Sequence, residues 1–263
     1  MRSKSNRFLS IICLVLLFFS EKTAAQNIVP FDSLRLKNMQ FLADDYGNFY
    51  YNDLRNLRFV KTDSSGKITA ELMPARPFRV QSVRNPLNIV LFSANAQQLR
   101  FVDQNLNDIQ PAVNLAEKFG FIVAAYVEDQ EYVRLLEETG RRLLRYDIRR
   151  GKIVSSVVLE TDYDGIVDMV ARKDKIYIAR TSAVETYSRS GRLLSTAQAT
   201  ALQRLELRNN AVYALSSDKA FRIEEDGTMT AVFEKPGALA LALNTRFWVA
   251  IVGNKLYLYP VKK

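Results

Sequence analysis

One short phrase recurs six times along this chain: an apolar or aromatic strand-forming run, then a polar turn. The copies are Leu57–Gly66, Leu99–Asn105, Leu143–Gly151, Val184–Gly191, Ala220–Gly227 and the terminal Lys255–Tyr259. Their aromatic anchors Phe59, Phe101, Tyr146, Tyr187, Phe221 and Tyr257 are 42, 45, 41, 34 and 36 residues apart. Units of this kind cannot bury their faces alone and must stack on one another, so a strand pattern with a period near forty restricts the chain to a radial array of sheets.

Each copy follows two other apolar runs. The nearer ones include Phe49–Tyr51, Ile89–Phe92, Ile176–Ala179, Val212–Leu215 and Phe247–Ile251. The farther ones are Met39–Leu42, Phe78–Val83, Gly120–Tyr126, Ile166–Val170, Leu202–Leu207 and Leu239–Leu243. Their length, β-branched and aromatic content and flanking turns favour strands over helices. Four strands in about 40 residues is one propeller blade. The expectation is an all-β, six-bladed β-propeller in one domain over 26–263. The last unit stops after its third strand, while Ile28–Phe31 and Leu34–Leu36 have no blade of their own. This N-terminal piece is expected to supply the outer strand of the last blade, closing the ring and leaving only short, protected edges.

Residues 112–145 strain the pattern. Ala116–Lys118 and Glu131–Glu138 contain helix formers with apolar residues at i, i+3/i+4 spacing. Gly140 and the following Leu143–Asp147 restore the repeat, so an edge hairpin is expected there rather than a helix.

Residues 1–25 read as a cleaved signal peptide. Arg2, Lys4 and Arg7 precede the apolar run Phe8–Phe19, and Thr23-Ala24-Ala25 offers the small residues for cleavage before Gln26. The run is too short to span roughly 30 Å of hydrocarbon as a helix. The expected location is therefore periplasmic or secreted, with no transmembrane segment in the mature chain. Cys13 is the sole cysteine and Ile11-Ile12 before it do not suit a lipoprotein, so the mature chain has no disulfide and no thiolate chemistry. Without residues 1–25, 33 basic side chains face 27 acidic ones, a net +6. That balance suits an acidic partner, but it is far from the dense basic field of a nucleic-acid binder.

Asn85-Pro86-Leu87-Asn88-Ile89-Val90-Leu91-Phe92 followed by Gln97–Leu106 resembles a family of exported proteins of Bacteroidota. In these, an Asn-Pro and apolar run leads to a Gln, an aromatic strand and an Asp-x-x-Leu turn. The turn Asp44–Asn48 and Leu144–Asp147 look like further parts of the same pattern, and the likeness covers residues 38–150. It implies a propeller-like fold and export, and carries no catalytic residue over. Tyr146–Lys152 is similar, more weakly, to quinoprotein-type and outer-membrane-assembly propellers. The docking tryptophans of those repeats are missing, since Trp248 is the only tryptophan.

The chain has no histidine. This removes the commonest general base, the usual zinc ligand and every Ser-His-Asp arrangement, so no metal site and no cofactor are expected. Asp162-Tyr163-Asp164-Gly165 has the first spacing of a calcium loop, but Lys173 stands where the bidentate Glu belongs. A turn explains it, as it explains Asp44–Asn48. The densest charge feature is Arg134, Arg141, Arg142, Arg145, Arg149, Arg150 and Lys152, a basic set suited to carboxylates or phosphates. The bland alternative is a solvated turn region neutralised by neighbouring acids. The sequence points to a non-catalytic exported binding or scaffold module of the cell envelope, its partner an envelope protein or an anionic glycan or lipid headgroup. The alternative is a carbohydrate-active hydrolase or lyase using carboxylates at the propeller centre, with or without calcium. Two carboxylates from different blades meeting at the axis, one with a raised pKa, would distinguish the second.

Overall fold

The computed structural model describes residues 26–30, 39–53 and 56–261. Among the described residues every regular element is a strand, and the strands form six antiparallel four-stranded sheets. Blade 1 is β2 (Met39–Ala43), β3 (Phe49–Asp53), β4 (Arg58–Thr62) and β5 (Ile68–Leu72). Blade 2 is β6 (Arg79–Val80), β7 (Ile89–Ser93), β8 (Gln98–Val102) and β9 (Val113–Asn114). Blade 3 is β10 (Ile122–Val127), β11 (Tyr132–Glu137), β12 (Arg142–Asp147) and β13 (Lys152–Val158). Blade 4 is β14 (Ile166–Arg172), β15 (Lys175–Arg180), β16 (Ala183–Ser188) and β17 (Leu193–Gln198). Blade 5 is β18 (Arg204–Arg208), β19 (Ala211–Leu215), β20 (Lys219–Ile223) and β21 (Met229–Glu234). Blade 6 is β22 (Ala238–Leu243), β23 (Phe247–Val252) and β24 (Lys255–Pro260), completed by β1 (Gln26–Pro30). The fold is a six-bladed β-propeller with the first strand of each blade innermost.

Burial falls off at the outer strand of blades 1, 3, 4 and 5. All five residues of β3 and of β7 are buried, because the middle of a blade is covered on both faces by its neighbours. Such strands read as continuous apolar runs. The outer strands β13 and β17 are mostly exposed, with partly covered residues only at alternate positions, as expected for strands wetted on one side. The anchors Phe59, Phe101, Tyr146 and Tyr187 of the repeated phrase are buried, each worth about 1.5–3 kcal/mol of transfer energy. Rings also join blades. Phe59 meets Phe78 edge-on at 5.6 Å, and Trp248 of blade 6 stacks on Phe233 of blade 5 at 5.2 Å.

The ring closes as the sequence predicts. β1 runs antiparallel to β24, with Gln26 opposite Leu258 and Pro30 opposite Lys255 and an irregularity between Gln26 and Val29. Phe31, Leu34–Leu36 and the signal segment 1–25 lie outside the described residues. The region 112–145 is strand and turn, with a hairpin as expected, but β11 and β12 are the two middle strands of blade 3 and not its edge. Val133, Leu135 and Leu136 are all buried because β11 is covered on both faces, and this two-sided burial imitates a helical stripe. Ala116–Lys118 forms one isolated turn, in which the Lys118 and Phe119 amides donate to the Leu115 carbonyl.

Glutamines fasten neighbouring blades. The Gln40 side chain accepts from the Val80 amide at 2.8 Å and donates to its carbonyl at 2.5 Å. Gln81 makes the same pair with Val127, and Gln97 with Ile122. A primary amide has one acceptor and donors on one fork, so it can satisfy both backbone groups of a strand that has no ladder partner on that side.

Candidate functional site in the axial channel

The innermost strands bring chemistry-bearing side chains to the axis. On β18, Arg204, Glu206 and Arg208 alternate with Leu205 and Leu207 and so share one face. All three are buried, with 4%, 3% and 2% exposure. Arg204 Nη1 donates to Glu206 Oε2 at 2.5 Å. Arg208 Nε lies 3.2 Å from Glu206 Oε1, close enough for charge attraction but off the line of a hydrogen bond. Arg208 then crosses to blade 1, donating from Nη1 to Asp45 Oδ2 at 3.2 Å and from Nη2 to the Ala43 carbonyl at 3.1 Å. Asp45 also accepts from the Thr245 amide of blade 6 at 2.8 Å. The end of the channel where the inner strands finish is thus crossed by an ionic ladder joining blades 5, 6 and 1.

The other end is open. Where the inner strands begin there is a cavity of about 240 Å³, lined by residues that include Gln40, Phe41, Arg79, Gln203 and Arg204. Arg79 is exposed and joins no ion pair among the described residues. Arg204 reaches the cavity wall with its Nη2 buried and lacking an acceptor. A buried guanidinium nitrogen left this way costs more than an ordinary missed hydrogen bond.

Asp168 on β14 is a further charged group near the axis. Its Oδ1 accepts from the Met169 amide at 2.9 Å and its Oδ2 from the Leu205 amide of blade 5 at 2.8 Å. It thus sits in a blade-fastening slot of the kind that glutamines fill elsewhere. Burial pushes its carboxyl up to about 6, against the opposing pull of Arg79, the two amides and Arg204. Tyr126 of blade 3 feels Glu206 and Asp168 as well, and burial raises its phenol to about 12.

The seven basic residues singled out from the sequence all lie on blade 3, but at different heights. Arg134 and Arg145 face each other across β11 and β12 at mid-blade and share Glu128, at 2.5 and 2.7 Å. Arg145 also stacks over Tyr132 at 3.7 Å. Arg141 and Arg142 flank the turn between β11 and β12. Arg142 pairs with the buried Glu137, and Arg141 donates to the Thr161 carbonyl at 3.2 Å. Arg149, Arg150 and Lys152 lie at the opposite end of β12, with Arg149 3.0 Å from Glu131 and Arg150 3.6 Å from Asp147. The structure therefore splits the seven residues into three groups, a mid-blade pair and one group at each end of β12. Hydrogen bonding from Arg142, together with that from the Gly120 amide, holds Glu137 below the usual carboxylate range against the opposing effect of burial.

The two acidic turns are also built locally. Asp44 Oδ1 accepts from the Tyr46 and Asn48 amides at 2.9 and 2.8 Å, around Gly47 at φ 92°. Asp162 accepts from the Asp164 amide at 3.0 Å, and the Asp162 and Asp164 carbonyls take up Arg180.

The axial set Arg79, Asp168, Arg204, Glu206 and Arg208 was not singled out by the sequence reading. Its signal was present in Arg204-Leu205-Glu206-Leu207-Arg208, where charge recurs with the period of a strand.

Among solved structures the chain resembles a streptogramin B lyase, with a TM-score of 0.55 and 11% identity over 90% of this chain and 87% of that one. A virginiamycin B lyase from Staphylococcus aureus gives 0.51 and 14%, covering 90% and 88%. A catalytically inactive histidine-to-alanine form of that lyase with quinupristin gives 0.53 and 13%, with the same coverage. At these identities the likeness concerns the fold alone. No protein-family profile matches the chain, and no curated protein matches it in sequence. What the comparisons establish is a β-propeller.

Proposed function

We propose that this chain is a non-catalytic binding module of the cell envelope, exported by a signal peptide cleaved before Gln26, which takes its ligand at the open mouth of the axial channel. The observation that carries this reading is an imbalance at the axis. The carboxylates there are committed, Glu206 to two arginines and Asp168 to two amides. The recognition groups are not, since Arg79 is unpaired among the described residues and Arg204 Nη2 has no acceptor. Committed acids and available donors suit holding a ligand better than moving its protons. Export is compatible with the fold, because β1 opens at Gln26 and loss of 1–25 leaves the closing strand whole. The test is crosslinking in the native envelope with the parent chain and with R79Q. A partner captured by the parent and lost in R79Q supports the reading, and equal capture by both moves the contact away from the mouth. Amino-terminal sequencing of the envelope protein checks export, with Gln26 as the expected first residue.

One observation favours the second reading, a carbohydrate-active hydrolase or lyase. Asp168 and Glu206 come from adjacent blades, both belong to the axial set, and Asp168 is pushed up to about 6, inside the range a general acid needs. The solved lyases of the same fold do not strengthen it. One of them loses catalysis when a histidine becomes alanine, and this chain has no histidine. Turnover of any glycan by the parent chain, abolished in D168N, would replace the binding reading with the enzymatic one.

A further inference from the structure

The geometry points to a small carboxylic acid with an apolar body as the ligand class of the channel mouth: its carboxylate lies against Arg79 and Arg204, and its body against Phe41, Phe78, Leu202 and Leu241. This inference rests on the binding reading above and names its chemistry.

Three features carry it. The first is the orphaned donor. Arg204 is 4% exposed, is fixed at Nη1 by Glu206, and has Nη2 buried with no acceptor while it lines the cavity. A small outward turn of the Arg204 side chain lets a carboxylate oxygen in the cavity supply the missing acceptor, and the unpaired fork of Arg79, which lines the same cavity, receives the other oxygen. Guanidinium and carboxylate match in this way because both are planar and two-pronged.

The second is charge balance. Near the mouth Arg79 and Arg204 are matched by Asp168 and Glu206, two charges of each sign. A monoanion adds one negative charge, which a proton on Asp168 offsets. A phosphate dianion would leave an uncompensated charge in a low-dielectric site, and that is expensive.

The third is the wall. Phe41, Phe78, Leu202, Ala240 and Leu241 line the cavity and are nearly fully buried. A volume of about 240 Å³ is smaller than the roughly 300–1,000 Å³ of pockets that enclose drug-sized ligands. The mouth therefore fits one carboxylate on a compact apolar group.

The test is isothermal titration calorimetry at pH 6 with three probes: phenylacetate, its uncharged amide phenylacetamide, and inorganic phosphate. Phenylacetate is expected to bind, the amide to bind roughly tenfold more weakly or worse, as loss of a charge-assisted hydrogen bond implies, and phosphate to bind more weakly than phenylacetate. R79Q changes an exposed side chain and keeps the fold, and it should weaken phenylacetate by a similar factor. R204M, checked first for an unchanged far-ultraviolet spectrum, should do the same. Equal affinity for acid and amide, tighter binding of phosphate, or no effect of R79Q overturns the inference. If no probe binds while an envelope partner is still captured by the parent chain and lost in R79Q, the carboxylate site falls and the binding module stands. If D168N abolishes a turnover, the binding reading falls instead.

Discussion

Arg208 and Asp45 are 163 positions apart in the chain and 3.2 Å apart in the fold, their ion pair reaching past blade 6 to tie blade 5 to blade 1. The pair sits at the end of a ladder in which every charge depends on the next. Removing one member of a buried ionic set costs about 3–5 kcal/mol, because the survivor stays buried without compensation. R208M is therefore expected to lose about that much stability, and D45N less, since Asp45 is partly exposed. Urea unfolding monitored by Trp248 fluorescence checks both, and a change below about 1 kcal/mol for R208M would show the ladder to be dispensable.

Asp168 makes stability depend on pH with a sign opposite to that of most acids. Its folded pKa of about 6 lies above the ordinary 3.8. Between those values the folded chain holds a proton that the unfolded chain has released, so stability falls as pH rises from about 4 to about 6. Above pH 6 the full cost is in place, about 3 kcal/mol. D168N cannot ionise, and its Nδ2 would face a backbone amide that Asp168 accepts from, a cost that does not vary with pH; its stability relative to the parent is therefore expected to be higher at pH 7.5 than at pH 4 by about 3 kcal/mol, whatever its absolute value. Parallel urea midpoints at the two pH values decide it, and a constant difference would remove Asp168 as the cause.

The same group links ligand binding to pH. Arg79 of blade 2 and Arg204 of blade 5 act on Asp168 electrostatically, and Asp168 in turn acts on the buried Tyr126 phenol of blade 3. A carboxylate at the mouth favours the protonated form of Asp168. Phenylacetate should therefore bind several-fold more tightly at pH 5 than at pH 8 in the parent, and equally at both in D168N. Calorimetry in buffers of different ionisation enthalpy would also show proton uptake on binding.

Deleting residues 1–30 removes β1 and leaves β24 as an open edge. The expected outcome is a lower melting temperature and concentration-dependent association, since an unpaired strand edge is a template for another chain. Light scattering against the chain lacking only 1–25 checks it. Equal stability and a monomer in both would mean that β1 does not close the ring in solution.

Glu128 holds Arg134 and Arg145 together, and Arg134 is only 5% exposed. E128Q strands two guanidinium groups on facing strands and should destabilise blade 3 by about 1–3 kcal/mol. R149Q, whose partner Glu131 is exposed, should change stability by less than about 0.5 kcal/mol. Similar effects for both would contradict the burial difference between them.

The blades were legible because their cause is local. Phe59, Tyr146 and Tyr187 are large, apolar and regularly spaced, and each is buried where the repeated phrase puts it. The two-residue strands β6 and β9 were hard to read because so few positions carry a pattern. The helical stripe in Glu131–Glu138 competed with the strand reading for a physical reason: on a strand covered on both sides, adjacent Leu135 and Leu136 are both buried and the alternation disappears. The axial site was illegible for another reason. Arg204, Glu206 and Arg208 become one ladder only when β18 faces the axis, and their link to Asp45 exists only after the ring has closed. Arg79 lies in a strand of two residues, so nothing local marks it as lining a cavity.

The pairing of β1 with β24 also sets a schedule. Every other blade is a run of adjacent antiparallel strands that can form as soon as its own residues are available. Blade 6 alone needs the beginning of the chain and its end together, so β1 is the first described strand to be synthesised and among the last to find a partner. During that interval its backbone donors and acceptors are open to any other strand, and the slow step of folding should be the meeting of the two ends rather than the formation of any blade.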